Sequence, residues 1–406
     1  MSYKIYVCGP TVYNSVHIGN IRPILTMDLI LKAARNLGKN FFFVHNITDI
    51  DDKIINRAIA ENTTEEAIAH KYTQEYLELL KLLNVNTISK IEYVTENLEY
   101  IQNFIKSLVL SKNAYADAQN NVWFDVIKNK HNYGKVSKQK LENMVFEDTN
   151  YSKKHQADFA LWKQTQKGVQ YKSIFGNGRP GWHTECCVLI YKNFGSSGVD
   201  LHGGGMDLTF PHHENENIQF QALTGNPIAK KWLRTGTLNL NGIKMSKSLN
   251  NVVLAKDFIQ THGADIYKFI LLNNSVTGII NLDENTIHNA NKIILKIRKI
   301  YFKLFNLQVR NAEFNTEIYN QAMNAILELN FSKFMTIVHE LIKGSANDLV
   351  LAFTLKQIFD TMNFEFKDFN YAECVQLYSQ WEQLNKEKKY SESDAIRNIL
   401  IKKGVF

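Results

Sequence analysis

The spacing of apolar and polar positions divides the chain into two regimes. In the first half, short apolar runs rich in β-branched and aromatic residues (Tyr3–Val7, Phe41–Val44, Val199–His202) alternate with longer stretches of helical periodicity (Ile18–Leu37, Thr64–Leu83, Trp182–Phe194). Continuous apolar strands separated by helices predict a parallel sheet with both faces covered, because a parallel crossover needs a dozen or so residues and a helix fills it. In the last third, apolar residues recur at Ile287, Ala290, Ile294, Ile297 and Tyr301, the spacing of one helical face. Turn formers thin out there: all five prolines lie at or before Pro227, and after Gly278 only Gly344 and Gly404 remain. The pattern predicts an α/β domain followed by an all-helical C-terminal domain.

The alternation breaks between Leu110 and Tyr151, where a strand-like Val122–Val126 precedes a polar, Lys-rich stretch. This segment reads as an insertion between two halves of the sheet. Near the end, Lys386–Lys389 leads into Ser391–Arg397, a helix with a polar start and a solvated face. No internal repeat or low-complexity segment is visible. At 406 residues the chain exceeds the usual size of a single core, so two or three domains are expected.

Composition narrows the function classes. No run of about 18 apolar residues is present, which excludes a membrane-spanning helix. Met1–Val7 enters strand-like sequence without the basic and apolar regions of a secretory signal, so a cytoplasmic protein is expected. Four scattered cysteines (Cys8, Cys186, Cys187, Cys374) are too few for a disulfide framework and favour a reducing compartment, with metal binding or catalysis as their use. The net charge of +7 permits a polyanionic partner. Heavy use of Lys, Asn, Ile and Phe fits AT-rich coding, however, and weakens that argument.

Three constellations carry chemistry. The first strand ends in Cys8-Gly-Pro-Thr-Val-Tyr-Asn14, and His17-Ile-Gly-Asn20 follows at the entry to a long helix. Such strand-to-helix turns present backbone N–H groups and a positive helix end to a polyphosphate, and Gly19 permits close approach. Alone, the motif reads as an ordinary turn. Lys244-Met-Ser-Lys-Ser248 sits after Leu238–Leu240 and before a helix. Its two lysines and two hydroxyls suit a loop that closes over a triphosphate and neutralises the departing pyrophosphate, and alone it reads equally as a solvated basic loop. Third, Gly181-Trp-His-Thr-Glu-Cys186 precedes His202-Gly-Gly-Gly205 and Pro211-His-His-Glu-Asn-Glu216. His212 and Glu216 are one helical turn apart and share a face; with Cys8 and Cys186 they form a donor set suited to Zn2+. Singly, each is a buried hydrophobe or a helix-surface pair. Cys187 points about 100° away from Cys186 and reads as packing, as does Cys374.

The His-Ile-Gly and Lys-Met-Ser-Lys-Ser pair resembles the signature of class I aminoacyl-tRNA synthetases. Together with Asn46-Ile-Thr-Asp-Ile-Asp-Asp-Lys53, Asp158–Lys163, Gly178–Cys186 and the two histidine segments, the chain resembles the cysteinyl-tRNA synthetase family over nearly its whole length. That resemblance implies a Rossmann-like catalytic domain over 1–225 with a connective insertion near 110–160. It further implies a stem-contact region over 226–300 carrying the lysine loop, and a helical tRNA-binding domain over 301–406 with a shortened end. It implies zinc ligands at Cys8, Cys186, His212 and Glu216, ATP contacts at Thr11, His17, Gly19, Asn20 and Lys247, and catalytic roles for His17, Lys244 and Lys247. Trp182 and His202 match substrate-pocket positions. The implied partners are cysteine, ATP with Mg2+, and tRNA(Cys), with no membrane and no protein partner.

The implied reaction gives the metal a purpose. Serine differs from cysteine by one atom, and a 10⁴-fold preference requires roughly 5.5 kcal/mol, which a metal–thiolate bond can supply without an editing domain. Asn20 stands where the family usually has a second histidine and is expected to keep a hydrogen-bond donor there. On helical sequence, Lys292, Lys296, Arg298, Lys299 and Lys303 suit contacts to tRNA phosphates, or equally a solvated face. Two rival readings share these motifs: a mycothiol-pathway ligase that joins cysteine to an amino sugar, and a non-catalytic tRNA-binding paralogue.

Overall fold

The computed structural model describes residues 2–146, 153–245, 251–309 and 312–406. Among these residues the strands are β1 (Tyr3–Val7), β2 (Phe41–Ile47), β3 (Lys90–Tyr93), β4 (Ala114–Ala116), β5 (Val122–Phe124) and β6 (Phe159–Gln164). They continue with β7 (Gly178–Pro180), β8 (Val199–Gly205), β9 (Ala229–Thr235), β10 (Leu238–Leu240), β11 (Ile243–Lys244) and β12 (Ile280–Leu282). The central sheet runs β3-β2-β1-β8-β9. Every neighbouring pair in it is parallel. The chain therefore starts in the middle, winds outward through β2 and β3, then returns to β1's other side. The parallel sheet is the one expected from the alternation, and its doubly wound, Rossmann-like order is the one the resemblance implies; it opens a crevice at the carboxyl ends of β1 and β8, where the winding reverses.

The insertion between β3 and β8 carries its own antiparallel sheet, β4-β5-β6-β7. It takes in Gly178–Pro180 as well, beyond the bound read near 160. After β12 the described chain is helical: Glu284–Asn306, Thr316–Leu327, Phe331–Gly344, Leu349–Thr361, Tyr371–Lys386 and Tyr390–Lys403. No helix among the described residues is long and apolar enough to cross a membrane.

Among the boundaries that differ from the pattern, two have clear physical reasons. The first long helix starts at Arg22, not Ile18. Pro23 fits the first turn of a helix and would break its interior, so residues 18–21 form a turn instead. β2 runs three residues past Val44 because His45 and Asn46 are buried strand residues whose polar atoms are paired. His45 lies 2.9 Å from both the Val7 carbonyl and the Tyr76 hydroxyl.

Buried charge ties the parts together. Arg22, 2% exposed, donates to the carbonyls of Gly236, Thr237, Ser275 and Val276 at 2.7–3.1 Å, joining the helix after the His17 turn to the β9–β10 link and the approach to β12. Glu92 on β3, also 2% exposed, receives Lys90 and Lys192 ammonium groups at 2.6 and 3.0 Å and the amides of Asn97 and Asn193 at 3.0 and 2.9 Å. Lys192 and Asn193 belong to the Trp182–Phe194 helix, so this carboxylate anchors a helix that also reaches the crevice.

Burial alone would raise the Glu92 pKa, but its ammonium and amide donors outweigh that and hold it down to about 2. Its unfolded value is about 4.3, so its contribution to stability is complete above that pH and is lost as pH falls toward about 2. Glu92→Gln should lower stability by about 2 kcal/mol at neutral pH. In thermal melts across a pH series, the gap between wild type and variant should close between these two pH values.

Candidate active site

A cavity of about 360 Å³ lies at the carboxyl ends of β1, β2, β8 and β9. Cys8, Thr11, His17, Gly19, Asn20, Trp182, Cys186, His212 and Lys244 all line it, although they are scattered over more than 230 residues of sequence. A parallel sheet explains the convergence: its strands all end on one edge, and the loops leaving them meet there.

At one end of the cleft four donors converge. Cys8, Cys186, His212 and Glu216 place one ligand atom each within 4.8 Å of the others. Cys8 follows β1 directly, Cys186 lies in the second turn of its helix, and His212 and Glu216 share a face of the helix His212–Thr224. His212 Nε2 is 2.9 Å from Glu216 Oε1, and Cys8 Sγ is 3.6 Å from each of these atoms. Glu216 is 0% exposed and, among the described residues, has no lysine or arginine beside it. His202 Nε2 lies 3.0 Å from its second oxygen, with neither atom aligned as a hydrogen bond.

The electrostatics suit a cation. Burial would raise the Glu216 pKa, yet His212 holds it well below the carboxylate range. Conversely, burial would lower His212, and Glu216 and the Cys186 thiol keep it protonated up to about 10. Cys186 would be raised by burial but falls to about 6 through its hydrogen bonds with Cys8 and His212, while burial and Cys186 push Cys8 up. Anionic donors thus gather where burial disfavours charge, compensated by one imidazolium. A divalent ion held by the same four groups would provide that compensation without the proton. A second set, Cys8, His202, His213 and Glu216, is equally compact. It sits deeper, since neither His202 nor His213 lines the cleft, and only the first set has three members on the cleft wall.

The helix bearing His212 and Glu216 is buried and mostly polar from residue 212 to 219, with each flank tied down. Glu214 Oε2 accepts the Val136 and Ser137 amides at 3.1 and 2.7 Å, and Asn215 Oδ1 accepts the Tyr133 hydroxyl at 2.6 Å. Asn217 Oδ1 accepts the Ile228 amide at 3.1 Å, and Gln219 Nε2 donates to the His183 carbonyl at 2.8 Å. Tyr133, Val136 and Ser137 belong to the insertion, which therefore braces the donor helix.

At the other end, His17 Nδ1 accepts the Gly19 amide at 3.1 Å, which puts the ring proton on Nε2. A Cβ on Gly19 would come within 3.1 Å of this ring and 3.6 Å of the Met245 methyl, so the glycine first of all makes room for His17. Asn20 is exposed, and its Oδ1 accepts the His17 amide at 3.1 Å. Thr11 bridges Thr48 at the ends of β1 and β2. Lys244 is exposed on β11; Lys247 lies outside the described residues. The segment after that loop is fixed to the His17 turn: the Ile18 amide donates to Val253 O and the Ala255 amide to Val16 O, both at 2.9 Å.

Trp182 borders the cleft with its ring centroid 4.4 Å from that of His212. His202 is instead fully buried behind Glu216 and stacked on Trp232 at 4.6 Å, away from the cleft wall. Cys187 and Cys374 are buried among apolar residues, as read from sequence. Residue-level reasoning missed Asn46, whose Oδ1 accepts the Gly9 amide at 2.8 Å and lies 3.7 Å from Cys186 Sγ. It also assigned no role to His213 or to Lys53.

The chain is similar to known proteins over nearly its whole length. Residues 1–292 match the family described as tRNA synthetases class I (C) catalytic domain. A Cysteine--tRNA ligase of Mesomycoplasma hyopneumoniae strain 232 is 46% identical over 98% of this chain and 96% of its own length. One from Mycoplasma mycoides subsp. mycoides SC is 38% identical over 99% and 96%. Among solved structures, Mycobacterium tuberculosis methionyl-tRNA synthetase with methionyl-adenylate aligns at a TM-score of 0.64 and 14% identity, covering 89% of each chain. The Agrobacterium radiobacter K84 LeuRS ternary complex gives 0.66 at 9% identity, over 89% of this chain and 83% of that one. At these identities the two structures speak for the fold alone.

The position of Cys8 depends on Gly9, where a Cβ would lie 1.6 Å from the Asn46 carbonyl oxygen. Cobalt(II) added to metal-free protein should produce thiolate-to-metal charge-transfer absorption, and Cys8→Ser and Cys186→Ser should each weaken it. Gly9→Ala should weaken it too, with the helical circular dichroism retained.

Proposed function

The chain belongs to the class I (C) tRNA synthetases, and from that premise we propose that it activates cysteine with ATP and transfers the cysteinyl group to the 3′ terminal adenosine of tRNA(Cys). The observation that carries this reading is the two-thiol donor set opening into the nucleotide-sized cleft at the carboxyl ends of β1 and β8. Cys8, Cys186, His212 and Glu216 would hold Zn2+. When bound, zinc supplies a borderline-soft Lewis acid that accepts a thiolate and leaves a serine hydroxyl poorly bound.

The chain's own residues do the rest. Trp182, its ring tilted against His212, walls the amino acid in. Thr11, Gly19 and Asn20 border the ATP phosphates, which arrive with Mg2+. As the cysteine carboxylate attacks the α-phosphate, negative charge grows on the departing pyrophosphate. His17 donates from Nε2, and Lys244 and Lys247 supply positive charge, so all three stabilise that charge and none acts as a base. A fixed hydrogen-bond donor of this kind is worth about 10²–10³ in rate. Asn20 braces the His17 turn and presents its amide to the same phosphates.

The substrate domain division follows the family: 226–300 meets the acceptor stem and 301–406 holds tRNA. On the helix Glu284–Asn306, Lys292, Lys296 and Lys299 are exposed and suited to phosphate contacts. Lys303 instead donates to the carbonyls of Ser345 and Ala346, and Arg298 to that of Lys403. A cytoplasmic enzyme fits this chemistry.

The test is cysteine-dependent ATP–pyrophosphate exchange, followed by transfer to a tRNA(Cys) transcript or to an amino sugar. Exchange with transfer to tRNA alone is expected, with about one zinc per chain by elemental analysis. Lys244→Ala should slow exchange about 10²-fold and Asn20→Ala by less, both with unchanged zinc content. Transfer only to the sugar, or exchange equally supported by serine, would contradict the reading.

A further inference from the structure

Asp51, Asp52 and Lys53 place three charges side by side at the mouth of the cleft, and the structure gives each a different task. Asp51 Oδ1 accepts the Lys53 amide at 2.8 Å and caps the helix Asp52–Ala60. Asp52 pairs with the Arg179 guanidinium on β7. Lys53 turns to the cleft instead: it lines the cavity, and its Nζ stands 5.7 Å from the Tyr13 ring centroid and 5.9 Å from that of Trp182. Among the described residues no carboxylate lies within ion-pair distance of this ammonium. A lysine that spreads its charge over two aromatic faces at the rim of a pocket, with both neighbouring aspartates engaged by backbone or arginine, is poised for an anion that enters from the cleft.

The position of Trp182 identifies the anion. Its ring meets the imidazoles of His212 and His183, at 4.4 and 5.2 Å between centroids, and on the cleft side the Lys53 ammonium. An amino acid anchored by its thiol at the Cys8, Cys186, His212 and Glu216 end would lie along this indole. Its α-carboxylate would then point away from the donors, toward Lys53, whose ammonium reaches Trp182. The triphosphate end of the cleft is defined separately by His17, Gly19 and Lys244. Building on the proposed function, we propose that Lys53 binds the α-carboxylate of the cysteine substrate, holding it for attack while the thiol end is fixed by the donor set. The thiol thereby selects the side chain, and Lys53 selects an amino acid over a simple thiol.

The experiment compares two ligands of the zinc-loaded protein, cysteine and cysteamine, which has the same thiol and amine but no carboxylate. Binding is followed by calorimetry, and exchange kinetics are measured in parallel. In Lys53→Met the affinity for cysteine should fall about 10- to 100-fold, the loss expected for one charge-assisted hydrogen bond, with cysteamine affinity and the KM for ATP unchanged. Lys53→Arg should recover most of the loss. Equal weakening of both ligands would mean that the variant disturbs the pocket as a whole, and would overturn the assignment. So would an unchanged affinity for cysteine, or a rise confined to the KM for ATP. Wild-type protein that binds neither thiol would refute the proposed function itself, a result separate from any of these.

Discussion

The structure turns on one carboxylate. Glu216 is completely buried, ionised, and, among the described residues, without a lysine or arginine to compensate it. Burying an unpaired charge is among the costliest arrangements a fold can contain, so its surroundings have to supply positive charge of another kind. Two imidazoles touch its oxygens and two thiols lie close by. These groups could hold a cation at the point where a doubly wound sheet opens its crevice. The interior of the catalytic domain is organised to tolerate that arrangement.

Its cost is spread over distant segments. The helix that carries His212 and Glu216 has almost no apolar face, so hydrogen bonds hold it where hydrophobic packing does not. The insertion supplies three of its partners through Tyr133, Val136 and Ser137, and the approach to β9 supplies another through Ile228. Glu92 secures the helix bearing Cys186 from the opposite end. Arg22 locks the His17 turn to the segment that leads into the lysine loop, so the two ends of the cleft are set by one framework. In this sense the insertion between the half-sheets is structural support for chemistry, not an appendage.

Much of this was legible in the sequence, and the exceptions have physical causes. The helix Trp182–Phe194 ends where its pattern ends, because the left-handed Gly195 stops it. The four donors could be named because a Cys, Cys, His, Glu set carries few other meanings once the signature motifs flank it. His45 and Asn46 concealed the end of β2, since polar residues inside a strand look like a loop until their buried partners are known. The helix over His212–Thr224 could not be placed by periodicity at all, as both its faces are polar. The openness of Gly19 to a nucleotide is legible in sequence, but its first neighbour is the His17 ring, a contact that spacing does not reveal. The depth of His202, behind Glu216, is not legible either, because a strand's sequence does not announce which face meets the cleft.

Under the proposed function, a thiol is chosen by direct ligation to an ion held by Cys8, Cys186, His212 and Glu216. X-ray absorption at the zinc edge would decide it, on protein as purified and after addition of cysteine or serine. A first shell of two sulfur and two nitrogen or oxygen atoms is expected, gaining a third sulfur with cysteine and unchanged by serine. A shell without sulfur, or one that cysteine leaves as it was, would contradict it.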